Sequence, residues 1–233
     1  MPIIGIPVRY DYDKNGNIIW DIYEDVRKTI LLSGANIYLI LPIQDYYDID
    51  PNNNYKELTK EEKIKINNIL DKCEGLFLPG GDEFTSFDMY ILDYAIKKDI
   101  PTLGVCLSMQ MMSCYKTDYN LDKVKSNIKH YQKNNINAHS VKIDKDSKLY
   151  NILKQDIISV NSLHNYKAKE NNIYKTIAKS PDGIIEAIEH PTCTFNIGLQ
   201  WHPEKIYDKD NNSKLIIDYF IKEAERYKEK KHN

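Results

Sequence analysis

Ile100-Pro101-Thr102-Leu103-Gly104-Val105-Cys106-Leu107-Ser108-Met109-Gln110 is the stretch that decides the fold. Its apolar first half predicts a short buried strand, and Leu107 to Tyr115 predicts a buried helix that follows without a spacer. The chain must therefore turn sharply at Cys106. The residues two before and two after this cysteine are Gly and Ser, which are small enough for the strand and helix to approach closely, as in a Gly-x-Ser-x-Gly nucleophile elbow. N–H groups at the start of the helix would favour the thiolate. Alone, the pattern also fits a buried structural cysteine.

A second motif lies near the C-terminus, in the segment Asn196 to Glu204. His202 and Glu204 follow a strand-like run and would share one face of an extended chain. Pro203 is expected to exclude helix and to keep this segment extended. The carboxylate can then hold one imidazole nitrogen while the other acts elsewhere. A cysteine, a histidine and an orienting carboxylate are the groups that covalent acyl transfer requires.

A third motif is Gly75-Leu76-Phe77-Leu78-Pro79-Gly80-Gly81-Asp82, a short apolar strand that runs into a Pro-Gly-Gly turn. Such glycine pairs usually mark a turn and nothing more. Beside an elbow cysteine, however, this turn can present a backbone N–H to an oxyanion, with the N–H of Leu107 as the second donor.

Together, the three motifs resemble, in order and spacing, the class I glutamine amidotransferase superfamily. Within it, the chain is most similar to the stand-alone γ-glutamyl hydrolases, the branch of peptidase family C26 that includes γ-glutamyl-γ-aminobutyrate hydrolase. Four further segments carry this narrower match, so the resemblance covers nearly the whole chain: Ile3 to Pro7, His139 to Leu149, Val160 to His164 and Asp182 to Glu189.

The resemblance implies a role for eight residues. The catalytic triad would be Cys106, His202 and Glu204. The remaining five would bind the substrate or its oxyanion: Gly80, Gly81, Leu107, Gln110 and His164. Among these, Gln110 would help to hold the glutamyl moiety, and His164 matches a family position near the active site.

The chain departs from the branch at three places. Ser108 stands where the family usually has glycine, and Leu107 stands where the hydrolases usually have arginine, although true amidotransferases often have leucine there. After His164, the branch continues with a second histidine and a glutamine, whereas this chain has Asn165-Tyr166. These departures affect the substrate more than the chemistry.

The predicted function is therefore hydrolysis of a small γ-glutamyl amide through a thioester, without a cofactor. The glutamyl end is expected at the elbow and Gln110, with the leaving amine directed towards the loops around His164 and Tyr166. Two alternatives stay open: a glutaminase subunit that delivers ammonia to a separate synthetase, and a catalytically weak binding or regulatory protein on the same fold.

Composition fits one enzyme domain spanning residues 1–233. The net charge of −2, from 32 basic and 34 acidic residues, gives no electrostatic footprint for nucleic acid or an anionic membrane. The four cysteines are not clustered, which argues against a disulfide framework or a zinc site and favours a reducing cytoplasm. No signal segment or membrane-length apolar run is evident. The oligomeric state stays open, with a homodimer as one option.

Strand and helix patterns alternate in the first half of the chain, which predicts an α/β fold with a mostly parallel central sheet and helices on both faces, of the flavodoxin-like kind. Thr59 and Glu62 have the spacing of a capping box that opens a helix reaching Leu70. Short strand patterns from Ile157 onwards predict a small antiparallel portion in the C-terminal half. A terminal helix is expected from Ser213 to Tyr227, with a frayed end after it.

The histidines and loops outside the three motifs give less specific predictions. His139 and His190 fit either substrate contacts or packing. No His/Asp/Glu set has the sequence spacing of a metal site, so no metal is expected. The polar segments 51–54 and 117–138 are predicted to be solvated surface loops, with lids as the alternative.

Overall fold

The computed structural model describes residues 1–44, 56–117 and 120–232; the predicted loop at 51–54 lies outside them. The helices are α1 (Glu24–Leu32), α2 (Lys60–Leu70), α3 (Ser86–Lys98), α4 (Leu107–Ser113), α5 (Lys148–Leu153) and α6 (Asn211–His232), with a 3-10 turn at Pro203–Lys205. The strands are β1 (Ile3–Pro7), β2 (Arg9–Tyr12), β3 (Ile18–Asp21), β4 (Asn36–Ile40), β5 (Gly75–Leu78), β6 (Thr102–Val105), β7 (Asp122–Lys123), β8 (His139–Ile143), β9 (Ile157–Val160), β10 (Tyr166–Lys167), β11 (Lys175–Lys179), β12 (Ile185–Glu189) and β13 (Asn196–Leu199). Within these described ranges, no helix is both long and apolar enough to cross a bilayer.

The central sheet has nine strands in the order β4-β1-β5-β6-β13-β12-β11-β8-β9. The five strands from β4 to β13 are parallel, and each later neighbour pairs antiparallel. The predicted fold class is confirmed. The antiparallel part comprises four strands, because β8 and β9 extend the sheet beyond the β11–β12 hairpin.

A hydrophobic core covers each face of the sheet. Alternate side chains of β5 point to opposite faces. Phe77 packs into the core that includes Val26 of α1 and Phe220 of α6. Leu76 lies in the other core, which includes residues of α2, α3 and α4. Helices therefore cover both faces, as predicted.

Two glycines allow α4 to lie directly on the sheet. A Cβ added at Gly104 of β6 would stand 2.6 Å from Met112 Cε, and one added at Gly198 of β13 would stand 2.9 Å from Met109 Cγ. These two strands are neighbours, with Val105 paired to Leu199. The elbow after β6 and the histidine segment after β13 therefore leave the sheet side by side.

Several element predictions hold and others need correction. The capping box at Thr59 is present. The terminal helix continues beyond Tyr227, contrary to the expected fraying, because Lys228 Nζ donates to the Met1 carbonyl oxygen and Lys231 Nζ donates to a carbonyl oxygen after α2. The segment 117–138 contains β7, which pairs with β10, so it is not wholly a loop.

Candidate active site

Cys106 occupies the sharp turn between β6 and α4. Its backbone has φ 51° and ψ −106°, a positive-φ conformation that a non-glycine residue adopts only where the surroundings hold it. Its N–H donates to the Leu199 carbonyl oxygen at 2.7 Å, and its carbonyl oxygen accepts from the Gln110 N–H at 3.0 Å. The predicted elbow is present, and its sulfur-bearing residue is 8% exposed.

The imidazole of His202 lies against the Glu204 carboxylate, with 2.7 Å between Nδ1 and Oε1. The segment is not extended as predicted. Pro203 begins a 3-10 turn, which its fixed φ and missing N–H allow at a first helical position. The turn brings the carboxylate back to the imidazole over two residues, so the expected contact forms through a different backbone.

Asn161, directly after β9, holds the backbone of His202 through two hydrogen bonds. Its Nδ2 donates to the His202 carbonyl oxygen at 2.8 Å, and its Oδ1 accepts from the His202 N–H at 2.9 Å. Thr29 Oγ1 of α1 donates to the Glu204 carbonyl oxygen at 2.9 Å. The imidazole and carboxylate are therefore held by long-range contacts as well as by their own turn.

Electrostatics favour the charged imidazole. Burial alone would lower the pKa of His202, but the Glu204 carboxylate and the hydrogen-bonded Cys106 sulfur raise it above its ordinary value. Because Nδ1 faces Glu204, Nε2 is the nitrogen that contacts the Cys106 sulfur. Gly80 leaves the space for this arrangement, since a Cβ there would stand 3.1 Å from His202 Cε1.

The two expected oxyanion donors lie beside Cys106. Within the described chain, no protein acceptor is recorded for the backbone N–H of Gly81 or of Leu107. A Cβ added at Gly81 would stand 3.2 Å from Leu107 Cδ2, so the two residues approach closely. Both residues line the same cleft as Cys106.

Arg9 of β2 braces this region, and the sequence analysis did not identify it. Its guanidinium is paired with the Asp88 carboxylate, and both side chains are nearly buried. It also donates to the carbonyl oxygens of Gly80 at 3.2 Å and Pro79 at 3.0 Å. Ser108 joins the network, because its Oγ donates to the Pro79 carbonyl oxygen at 2.7 Å and accepts from Arg9 at 3.2 Å. The serine that departs from the family's glycine thus ties the elbow to the Pro-Gly-Gly turn.

Cys106 lies where two lobes of a cleft meet. We call the smaller, of about 350 Å³, the Gln110 lobe; it is lined by Leu107, Gln110, His164, Asn165 and Tyr166 among others. We call the larger, of about 710 Å³, the His202 lobe; it is lined by Tyr23, Asp25, Asn161, His202 and Lys205 among others. The residues common to both lobes are Gly81, Asp82, Cys106, Tyr131 and Leu163.

This division bears on the expected placement of the leaving amine, which stays a prediction. Gln110 Nε2 donates to the Tyr166 carbonyl oxygen at 2.9 Å, so Gln110, His164 and Tyr166 all belong to one lobe. They therefore lie on the same side of Cys106. The second direction away from Cys106 is the His202 lobe.

His164 is close to the active site, but its imidazole is turned into the protein. The side chain is 1% exposed, Nδ1 donates to the Tyr166 carbonyl oxygen at 2.8 Å, and Nε2 lies 3.2 Å from His130 Nδ1. The ring is therefore held by protein contacts, and direct contact between it and a substrate stays a prediction. Its backbone segment forms the cleft wall instead.

The other two histidines considered in the sequence, His190 and His139, lie outside the catalytic contacts. His190 packs edge-on against Tyr174, with 5.3 Å between ring centroids, and is absent from the lining of both lobes. His139 joins a buried cluster with His130, His164 and Glu186. The sequence spacing gave no sign of this set, because its members come from four separate segments.

The fold, elbow and histidine segment define a member of the class I glutamine amidotransferase-like superfamily. The sequence profile of the Peptidase C26 family matches residues 83–204, which is more than half of the chain. The chain belongs to this family, and so to the hydrolases of amide bonds.

Relatives support the same assignment. A Schizosaccharomyces pombe protein provisionally named a glutamine amidotransferase is 31% identical over 190 residues, covering 68% of this chain and 72% of its own. CTP synthase of Porphyromonas gingivalis is 28% identical over 204 residues, covering 72% of this chain but only 38% of that enzyme. Among solved structures, the glutaminase domain of Trypanosoma brucei CTP synthase with bound acivicin has a TM-score of 0.65 at 19% identity, covering 97% of this chain and 94% of that one.

Proposed function

We propose that this chain hydrolyses the γ-glutamyl amide bond of a small γ-glutamyl compound, releasing glutamate and an amine. The observation that carries the proposal is the position of Cys106. Its side chain stands on a positive-φ elbow, beside an imidazole paired with a carboxylate, at the junction of two lobes. A substrate whose scissile carbonyl reaches Cys106 then has one lobe for each side of the amide.

The chemistry follows from these groups. The Cys106 sulfur attacks the γ-carbonyl carbon, a C–S bond forms, and the N–H groups of Gly81 and Leu107 receive the oxyanion. The C–N bond breaks as His202 gives a proton to the leaving nitrogen. Water then attacks the thioester while His202 takes back a proton, and glutamate leaves with Cys106 regenerated. Glu204 orients and stabilises the imidazolium throughout.

The position of His202 supports one orientation of the substrate. A general acid must reach the leaving nitrogen within hydrogen-bond distance. His202 lines only the larger lobe, so the amine occupies the His202 lobe and the glutamyl moiety occupies the Gln110 lobe. The family role of Gln110 in holding the glutamyl group agrees with this orientation.

A panel of γ-glutamyl amides and glutamine, incubated with the purified protein, tests the proposal through the kcat/KM for glutamate release. Tyr23→Ala alters the His202 lobe, and Tyr166→Ala alters the Gln110 lobe; both side chains are exposed. We expect γ-glutamyl amines to be preferred over glutamine, because remote contacts with the amine help to position the amide. Tyr23→Ala should narrow that preference, whereas Tyr166→Ala should lower kcat/KM for all substrates alike.

Tyr12→Ala is the matched control, because Tyr12 is similarly exposed but lies outside both lobes. It should leave kcat/KM and the preference unchanged. The orientation is wrong if Tyr166→Ala, and not Tyr23→Ala, changes the preference among amines.

The similarity to CTP synthases favours a second candidate, a glutaminase that supplies ammonia to a separate synthetase. Leu107 agrees with it. In that case glutamine would be the best substrate, every larger γ-glutamyl amide would be inert, and a partner synthetase would switch hydrolysis on. That combination of results would replace the hydrolase proposal.

A further inference from the structure

Three histidines and one glutamate meet in a buried cluster outside the cleft chemistry. His130 comes from the segment before β8, His139 from β8, His164 from the segment after β9, and Glu186 from β12. None is more than 8% exposed, and the Glu186 carboxylate is completely buried. One ligand atom from each residue lies within 4.8 Å of all the others.

Hydrogen bonds fix which nitrogen of each ring faces the centre. His130 Nε2 contacts the Asp182 carboxylate at 2.9 Å, His164 Nδ1 contacts the Tyr166 carbonyl oxygen at 2.8 Å, and His139 Nδ1 contacts the Ser140 carbonyl oxygen at 3.2 Å. All three partners are acceptors, so these outer nitrogens carry hydrogen. In the neutral rings, the inner nitrogens therefore present lone pairs to one another. A carboxylate or carbonyl on the outer nitrogen is the usual arrangement for metal-bound histidines.

The centre of the cluster lacks hydrogen-bond donors. Within the described chain, His139 Nε2 and both oxygens of Glu186 have no hydrogen-bond partner of acceptable geometry. Leaving a carboxylate buried without compensation is costly. One added proton on His130 Nδ1 could form a hydrogen bond to only one acceptor, and His139 Nε2 would still have no partner. A bound cation would satisfy all four groups at once.

Four of the six separations between ligand atoms are close to those of a four-coordinate ion, and the other two do not exceed 4.8 Å. Zn–N bonds of about 2.0–2.1 Å at tetrahedral angles place ligand atoms roughly 3.3 Å apart. His130 Nδ1 lies 3.2 Å from His164 Nε2 and 3.2 Å from Glu186 Oε1. His139 Nε2 and His164 Nε2 lie 3.6 and 3.8 Å from Glu186 Oε1. Small rotations of the side chains would complete the tetrahedron.

We propose that His130 Nδ1, His139 Nε2, His164 Nε2 and Glu186 Oε1 bind one divalent transition-metal ion, with zinc as the fitting example. Imidazole ligands suit zinc and its first-row neighbours, whereas magnesium and calcium prefer oxygen. Four protein ligands and complete burial make the site closed, so its role is structural.

The ion would support the wall of the Gln110 lobe. The Tyr166 carbonyl oxygen accepts from His164 Nδ1 and also from Gln110 Nε2, so the ring that binds the metal holds the same carbonyl as Gln110. His130 is joined to this wall through its carbonyl oxygen, which accepts from the His164 N–H at 2.9 Å and from Ser162 Oγ at 2.7 Å. Binding would therefore join β8 and the segments that carry His130 and His164 to β12.

Direct binding of Zn²⁺ and Co²⁺ to the full chain tests this inference without measuring activity. Cys106→Ala is the parent protein, because it removes a thiol that could also bind metal. After treatment with a chelator, this protein is titrated with Zn²⁺ against a chromophoric competitor. We expect one ion per chain with sub-micromolar affinity, a Co²⁺ visible spectrum of four-coordinate intensity, and a higher Tm when Zn²⁺ is restored.

Variants in this parent identify the ligands. His139→Gln should weaken binding at least 100-fold, because loss of an outer hydrogen bond alone typically costs about 10–100-fold. Asp182→Asn alters only such an outer hydrogen bond, so it should weaken metal binding by about 10–100-fold. His190→Gln is the matched control, since His190 is buried to a similar degree but lies outside the cluster, and it should bind as the parent does.

Failure of this inference is distinguishable from failure of the proposed function. The metal assignment is overturned if the parent binds neither ion tightly, or if His139→Gln and His190→Gln bind equally well. The cluster would then be a proton-sharing network. Since Cys106→Ala lacks the nucleophile, none of these results depends on which substrate the protein cleaves.

Discussion

Selective alkylation is the sharpest test of the elbow. Iodoacetamide reacts with thiolates, so its rate at each cysteine follows the thiolate fraction and the access to the sulfur. We expect Cys106 to be modified first among the four cysteines at pH 7. Two of the other three can be treated quantitatively, because their environments change the pKa in a known direction.

Burial, with a smaller contribution from the neighbouring Glu74 carboxylate, raises the pKa of Cys73 to about 12. Burial, together with the nearby Asp99 carboxylate, raises the pKa of Cys193 to about 11. At pH 7, these values leave thiolate fractions of about 10⁻⁵ and 10⁻⁴, against about 10⁻² for a thiol with the ordinary value of 9.0. Cys73 should therefore react about 1,000-fold, and Cys193 about 100-fold, more slowly than an exposed thiol.

Cys106 differs because its sulfur contacts His202, whose charged form is favoured. Contact with an imidazole activates a cysteine nucleophile, so Cys106 should react faster than Cys73 and Cys193 despite its small exposure. Timed quenching and peptide mass mapping give the rate at each site. His202→Ala should slow Cys106 by at least about 10-fold while leaving the other cysteines unchanged.

Two results would refute this reasoning. One is modification of Cys73 or Cys193 at a rate equal to that of Cys106 in folded protein. The other is an unchanged rate at Cys106 in His202→Ala, which would show that the imidazole does not act on the sulfur.

Three further predictions follow from the site. Cys106→Ala and His202→Ala should each lower kcat at least about 1,000-fold, whereas Glu204→Gln should keep measurable turnover. A carboxylate that only orients the imidazole lowers kcat less when it is removed than the nucleophile or the base does. Equal losses of kcat in the three variants would contradict this. Because the pKa of His202 is raised, the His202–Glu204 pair stabilises the fold fully below pH 6.5 and less as pH rises towards the folded value. Urea unfolding of Cys106→Ala with and without Glu204→Gln should thus give a difference in free energy that shrinks from about pH 6 to about pH 9, and a growing difference would oppose it. Arg9→Gln should lower the free energy of unfolding by about 3–5 kcal/mol, because it leaves the buried Asp88 carboxylate without its ion-pair partner. Ser108→Gly should lower it by about 1 kcal/mol. Similar losses for the two variants would mean that the ion pair is not the main stabilising contact.

The motif positions were predictable because parallel strands order them. Cys106 directly follows one apolar strand and His202 lies three residues after another, and the structure pairs those two strands in register through Val105 and Leu199. Strand ends at one edge of a sheet bring their loops together wherever the strands lie in sequence. The two motifs, and the strand that precedes each of them, were therefore enough to predict that the candidate nucleophile and base lie together at one edge of the sheet.

Residues that act across long loops were not predictable in this way. Arg9 reaches Gly80 and Ser108 from 71 and 99 residues away, and it lies on the short strand β2, whose burial does not alternate. The buried cluster draws on His130 and His139, which lie in or beside a polar segment of the sequence with weak periodicity. A histidine in such a segment gives no sign that it will be buried, because the signal lies in its partners and not in its neighbours.

The strained elbow explains why so many contacts converge beside the cleft. A positive-φ conformation at a non-glycine residue such as Cys106 costs on the order of 1–3 kcal/mol, and it persists only when surrounding contacts over-determine it. One bond to Leu199 fixes the strand side, and Ser108 fixes the helix side to the Pro79 carbonyl oxygen. Arg9 holds that same carbonyl oxygen, so the brace also fixes the turn that carries Gly81. Rigidity in these two segments is what an oxyanion site requires, because its donors must be in place before the charge develops.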